Sequence, residues 1–147
     1  MSERTAYNSL RKGLINASPK ARIDRVENTM VDGMPDVNLC LNGVESWIEI
    51  KTPTEPKRKT TPLFGSNHKL SIQQQGWLKR QYLAEGNGYI FIRTETIALL
   101  IKGIEAQFVN EMTLAGLCAL SVWNSPVPIK AVYWQELASI LGASDGK

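Results

Sequence analysis

The apolar positions change period along the chain. Tyr7, Leu10 and Leu14 recur with Glu3 at i, i+4, i+7 and i+11, so one face of a helix starting after Ser2, a capable cap, carries all four. "INASPKA" breaks that helix, and the alternation in "RIDRVENT" predicts a strand. From Asp36 to Lys51 the period is two. Val37, Leu39, Leu41, Val44, Ile48 and Ile50 fall on one side, and Asp36, Asn38, Glu45, Trp47, Glu49 and Lys51 on the other. Asn42-Gly43 between them is the strongest short-range sign of a two-residue type I′ hairpin turn, because both central residues need positive φ.

"TPTEPKRKTTPLFGSN" has three prolines and a glycine among polar residues and reads as a loop that cannot join a sheet. "LSIQQQGWLKRQYLAEG" predicts a helix, with Ser71 and Gln74 at capping-box spacing and Gly86 as its stop; Trp77, Tyr82 and Leu83 are expected in the core. "YIFIR" and "TIALLIK" are apolar runs of covered-strand length. After them "GIEAQFVNEMTLAGLCALSVW" and "AVYWQELASIL" read as helices separated by "NSPVP". The order α, β, β, β, α, β, β, α, α predicts an α/β fold, a mixed β-sheet flanked by α-helices.

Composition narrows the class. At 147 residues one domain is expected over 1–147, with a core over 1–102 and additional C-terminal helices over 103–147. The hydrophobic fraction of 43% is ordinary, and no apolar run approaches the roughly 18–20 residues that span a bilayer, so no membrane partner is expected. The start "MSERTAYNSLRKGL" lacks an apolar signal core, and Cys40 and Cys118 have no CxxC spacing. A reducing cytoplasm is the expected setting. Net charge is only +3, but the stretch from Ile50 to Arg80 holds seven Lys or Arg against Glu55 alone, which favours a polyanion at that edge. A solvated loop and helix face would show the same bias.

The hairpin carries the candidate chemistry. An Asn-Gly turn that pairs Leu41 with Val44 also pairs Val37 with Ile48, and sets Asp36 against Glu49. Opposed β-carbons lie about 4.5–5.5 Å apart and like charges there repel, so a cation between the two acids would relieve them. Carboxylate oxygens suit Mg²⁺ or Mn²⁺, of which Mg²⁺ usually takes one or two carboxylates and keeps several waters for substrate phosphate to displace. Lys51 points to the same side as Glu49 and can orient an attacking water or offset charge on phosphorus oxygens. Ile50 turns its side chain to the core, while its backbone carbonyl is a further oxygen ligand candidate. Charges pointing outward from a hairpin also describe a plain solvated face.

At these residues the chain resembles the PD-(D/E)xK nuclease superfamily, with Pro35-Asp36 followed by Glu49-Ile50-Lys51. "LSIQQQGWL" is similar to the L-S-x-x-Q-x-x-W-L helix start that follows the E-x-K strand in VRR-NUC domains, and "GMPD" resembles their G-x-P-D element. The similarity runs over about Gly33 to Arg93. It implies a restriction-endonuclease-like fold and a metal-dependent endonuclease. Asp36, Glu49 and the Ile50 carbonyl would be metal ligands and Lys51 a catalytic residue. Gln74 would take the family's active-site glutamine position, and Glu3 that of its first-helix acid. Resemblance to stand-alone phage and bacterial members implies work in a bacterial cell or a phage-infected host, on branched DNA such as Holliday junctions. A flap or duplex nuclease and a non-catalytic nucleic-acid-binding protein remain the alternatives. Two departures stand out: the hairpin is short, and a Pro-rich basic insert separates Lys51 from the glutamine helix.

Lys57, Arg58, Lys59, His68, Lys69 and Arg80 are the candidate phosphate contacts, with no base-reading element among them. His68 is the only histidine, which excludes histidine-cluster metal sites. The apolar tail, from Phe108 through Leu114, Leu117, Leu120, Trp123, Tyr133, Trp134, Leu137 and Ile140, is more than one small sheet needs, so a homodimer is expected.

Overall fold

Positive φ at Asn42 (52°) and Gly43 (78°) closes the tight turn that the dipeptide predicts. From it the strands β2 (Val37–Leu41) and β3 (Val44–Lys51) run antiparallel, with Val37 opposite Ile48, Leu39 opposite Ser46 and Leu41 opposite Val44. The computed structural model of the protein describes residues 1–27, 30–66 and 68–143.

Around this hairpin lies a six-stranded sheet in the order β1-β2-β3-β4-β5-β6. Here β1 is Arg22–Arg25, β4 Asn87–Arg93, β5 Ile97–Lys102 and β6 Trp123–Pro126. Among the described residues only β3 and β4 pair in parallel, and such a pair needs a long crossover. The crossover carries helix α2 (Ile72–Leu83). The sheet is mixed and flanked by helices, as the order of elements predicts. The strand expected over "RIDRVENT" covers only its first half, and Asn28 and Thr29 lie outside the described residues.

Both faces of the sheet are covered. On one, α1 (Glu3–Ala17) and α5 (Ala131–Leu141) bury Ala6, Leu10, Leu14, Leu137 and Leu141 against Leu39, Ile48, Ile50 and Phe91. On the other, Leu78 of α2, Phe64, Val109 and Leu117 pack on Ile90, Ile92, Leu99 and Ile101. Ser2 caps α1 by accepting from the Thr5 N–H at 3.1 Å.

The C-terminal third departs from expectation. In place of one long helix over 103–123, a 3₁₀ turn (Gly103–Glu105), α3 (Ala106–Val109) and α4 (Leu114–Leu120) follow one another. Thr113 restarts the helix as an N-cap, accepting from the Gly116 N–H. The expected spacer contributes β6, an edge strand with buried Trp123 and Ser125 alternating with exposed Asn124 and Pro126. Asn, Ser and Pro are poor strand formers, and Pro126 is tolerated because it ends an edge strand. Trp123 stacks between Phe91 and Trp134 at 6.2 Å from each. The tail's apolar surplus is thus largely absorbed inside the chain: Leu117, Trp123 and Leu137 are buried, and Phe108 stays exposed. Tyr82 and Leu83 are exposed on the outer side of α2, contrary to the core expectation, because the helix buries only Leu78 fully. Among the described residues no helix is long and apolar enough to cross a membrane.

Candidate active site

Alternation along β3 sends Ile48 and Ile50 to the α1 side and Glu49 and Lys51 to the α2 side, level with Ile90 and Ile92 of β4. These two charges are not solvated. Glu49 is 5% exposed and Lys51 8%, at the end of the strand where the chain leaves the sheet. Asp36 stands one residue before β2, and the register carried one step beyond Val37–Ile48 sets it opposite Glu49. Its backbone carbonyl accepts from the Val26 N–H at 2.7 Å, and the buried Pro35 precedes it.

The electrostatics show how crowded the acids are. Burial first, and then the charge of Asp36, push the Glu49 carboxyl up to about 8; Lys51 counteracts and Glu3 adds to the rise. Burial also raises Asp36, and Glu3 reinforces the shift, while the backbone amides of Asp36 and Ile50 and the charge of Arg25 oppose it. Oδ1 of Asp36 is buried without a hydrogen-bond partner. An N–H and C=O on one extended residue point to the same edge, so the Ile50 amide beside Asp36 marks its carbonyl as facing that way too.

Gln74 closes the site from above. Its Oε1 accepts from the Ser71 N–H at 2.9 Å, while its own N–H donates to Ser71 Oγ at 3.0 Å. With the oxygen engaged in this capping box, Nε2 turns to the sheet and donates to Glu49 Oε2 at 3.3 Å. The structural and site roles of Gln74 therefore coexist. The start of α2 is itself fixed by Asn110, whose amide accepts from the Leu70 N–H at 2.8 Å and donates to the Leu70 carbonyl at 2.9 Å. Trp77 meets Trp47 edge-on at 5.6 Å and seals the helix to β3. Gly33, at φ 82°, lies against the same first turn: a Cβ there would stand 2.2 Å from the Gln73 carbonyl oxygen and 2.7 Å from the Gln74 nitrogen.

Four of the expected residues thus come together, Asp36, Glu49 and Lys51 from the hairpin and Gln74 from α2, while Glu3 at the N-terminus of α1 acts on both acids through its charge. The basic residues are mostly exposed. Lys57, Arg58 and Lys59 are exposed on the loop after β3, Lys69 is exposed and His68 half-buried before α2, and Arg80 is exposed in the last turn of α2. Sequence reasoning missed Arg25, Gly33 and Asn110. Gly33 was visible in the quoted "GMPD", whereas Arg25 and Asn110 act across the fold without a local signal.

Among the described residues no group of three or more His, Cys, Asp or Glu side chains is arranged to hold a metal. What the hairpin offers is two carboxylates and a neighbouring carbonyl, all hard oxygen donors, one of them an orphaned buried atom. This set suits a cation that keeps most of its waters.

No family model and no curated protein matches the chain. Among solved structures the fold is similar to that of Archaeoglobus fulgidus Hjc, a Holliday junction resolvase from an archaeal hyperthermophile. The TM-score is 0.54 and the identity 16%, with 92% of this chain and 96% of that chain covered.

Proposed function

We propose that the protein is a metal-dependent endonuclease of the PD-(D/E)xK type, VRR-NUC-like, that hydrolyses phosphodiester bonds in branched DNA such as Holliday junctions. The observation that carries this reading is the buried Glu49 facing Asp36, whose Oδ1 has no partner, with Lys51 buried on the same face. Two acids and a lysine are expensive to bury, and a solvated hairpin would leave them in water. The likeness of the sheet and its helices to those of a junction resolvase supports the choice of substrate.

Asp36, Glu49 and the Ile50 carbonyl would hold Mg²⁺ or Mn²⁺. When bound, such an ion polarises the scissile phosphate and lowers the pKa of a coordinated water. Lys51, whose charge already acts on Glu49, orients the attacking water and offsets negative charge growing on the phosphate oxygens. Gln74 holds Glu49 in a single orientation, with its own amide fixed by the helix cap. Glu3 adds negative charge that strengthens the site's demand for a cation. Lys57, Arg58, Lys59, His68, Lys69 and Arg80 contact backbone phosphates, and a two-fold pair of chains would cut a symmetric junction on two strands.

The test compares cleavage of a synthetic four-way junction, a flap and a linear duplex with Mg²⁺, Mn²⁺ or EDTA. Cleavage of the junction that needs the metal and is lost in Asp36→Asn, Glu49→Gln and Lys51→Ala, with DNA binding retained, is the expected result. Binding without any cut by the wild type would leave a non-catalytic nucleic-acid-binding protein. Preference for flap or duplex would reassign the substrate alone.

A further inference from the structure

The loop that leaves β3 is held by side-chain hydrogen bonds near its start and by packing at its far end. Thr52 and Pro53 are buried, and then Glu55 reaches the turn between β4 and β5. Its Oε2 accepts from the Thr94 hydroxyl at 2.7 Å and from the Thr96 hydroxyl. Its backbone N–H donates to the Glu95 carboxylate at 3.0 Å. The receiving turn is stiff in turn: Thr94 is buried, and its Oγ1 accepts from the N–H groups of Thr96 and Ile97. Downstream, Leu63 and Phe64 are buried and the Leu63 N–H donates to the Met112 carbonyl at 3.0 Å.

Between these anchors, residues 57–61 are exposed, with Lys57, Arg58 and Lys59 in succession and a turn closed by Thr61 N–H to the Arg58 carbonyl. Lys57, Lys59 and Thr61 line a cavity of about 400 Å³ together with Glu55 and with Leu114, Ala115 and Cys118 of α4. The hydrogen bonds of Glu55 fix the base from which this exposed segment projects.

We propose that Glu55 is a positioning residue for DNA recognition: bound to Thr94 and Thr96, it aims the Lys57–Lys59 segment so that its three cations grip backbone phosphates of the same DNA that enters the Asp36–Glu49 site. The inference rests on the nuclease reading above and extends it to a residue of the opposite charge to its ligand. Lys57 to Lys59 lie six to eight positions beyond Lys51, so the grip lies within about 30 Å of chain from Lys51.

The sign of the effect separates this role from simple electrostatics. Removing a carboxylate near DNA should tighten binding if Glu55 does nothing but repel phosphate. Removing the clamp should weaken binding, because the cations lose their direction while keeping their charge. The probe is a fluorescently labelled four-way junction of fixed sequence, bound in EDTA by the full chain across a range of salt, with thermal melts of every variant.

Glu55→Ala is expected to weaken binding roughly five- to tenfold and to lower the slope of log affinity against log salt by about one charge. Glu55→Gln, whose amide oxygen still accepts from both hydroxyls, is expected within about twofold of wild type. Thr96→Val, which deletes one hydroxyl donor, should fall between them and decides the matter if Glu55→Ala melts early. Glu55→Ala, or an early-melting Glu55→Ala with an unaffected Thr96→Val, binding as tightly as wild type overturns the clamp alone when the wild type binds and cuts. A wild type that does not bind the junction at all overturns the nuclease reading, and the clamp with it.

Discussion

Gln74 donates to Glu49 from a side chain whose oxygen is already committed to the Ser71 N–H. The helix cap thereby selects which end of the amide faces the sheet. Gln74→Glu keeps the reciprocal cap but brings a third carboxylate to Asp36 and Glu49. It should reduce Mg²⁺-dependent cleavage roughly 10- to 100-fold, the cost typical of losing a residue that orients a metal ligand. Gln74→Ala should reduce cleavage comparably and also cost about 0.5–1 kcal/mol of stability through the lost cap partner. Cleavage rates beside urea midpoints separate the two.

Metal-free stability should fall as pH rises. The folded Glu49 carboxyl, near 8 against an ordinary 4.5, binds its proton more tightly than the unfolded chain does. The resulting stabilisation is complete below about 4.5 and is lost progressively until the pH passes 8. Asp36, also raised, acts in the same direction. Glu49 alone should contribute on the order of 3–5 kcal/mol across that window. Urea unfolding in EDTA between pH 5 and 9 measures it, and Glu49→Gln should flatten the curve. Stability that climbs with pH over this interval would refute the assignment.

Divalent cations should reverse that loss. Saturating Mg²⁺ or Mn²⁺ at pH 8 should raise the melting temperature by about 2–8 °C, corresponding to about 1–3 kcal/mol of linkage. The shift should shrink toward pH 6, where a proton competes for Glu49. Neither Asp36→Asn nor Glu49→Gln should respond, which a calorimetric scan with and without metal will show.

Two glycines with positive φ should behave differently. At Gly33 an added Cβ meets the backbone of Gln73 and Gln74, so Gly33→Ala should cost at least about 2 kcal/mol and depress cleavage by displacing Asp36 from α2. At Gly43 nothing lies within 4 Å, so Gly43→Ala should cost about 1 kcal/mol through backbone strain alone and leave cleavage intact. Denaturation midpoints and junction cleavage for the two proteins provide the comparison.

The hairpin was readable because its information is local. Asn42-Gly43 restricts φ at two positions, and the pairing then propagates residue by residue to Asp36 and Glu49. Ser71 and Gln74 were readable for the same reason, being three residues apart on one helix turn. The parts that escaped depend on partners remote in the chain. Glu55 meets Thr94 and Thr96, and Asn110 meets Leu70, across about forty residues. Strand β6 is held by pairing with β5 and by the stacking of Trp123, against the propensity of its own Asn, Ser and Pro. The burial of Glu49 was equally invisible, since it follows from α2 lying over a face whose residues look solvated.

The double anchoring of residues 57–61 leaves their sequence unconstrained by the sheet. With Glu55 tethering one end and Leu63 and Phe64 the other, the span between them is free to lengthen, shorten or change charge while the hairpin keeps its shape. The span becomes an exchangeable cassette, one that descendants of this chain can rewrite while inheriting the hairpin unaltered.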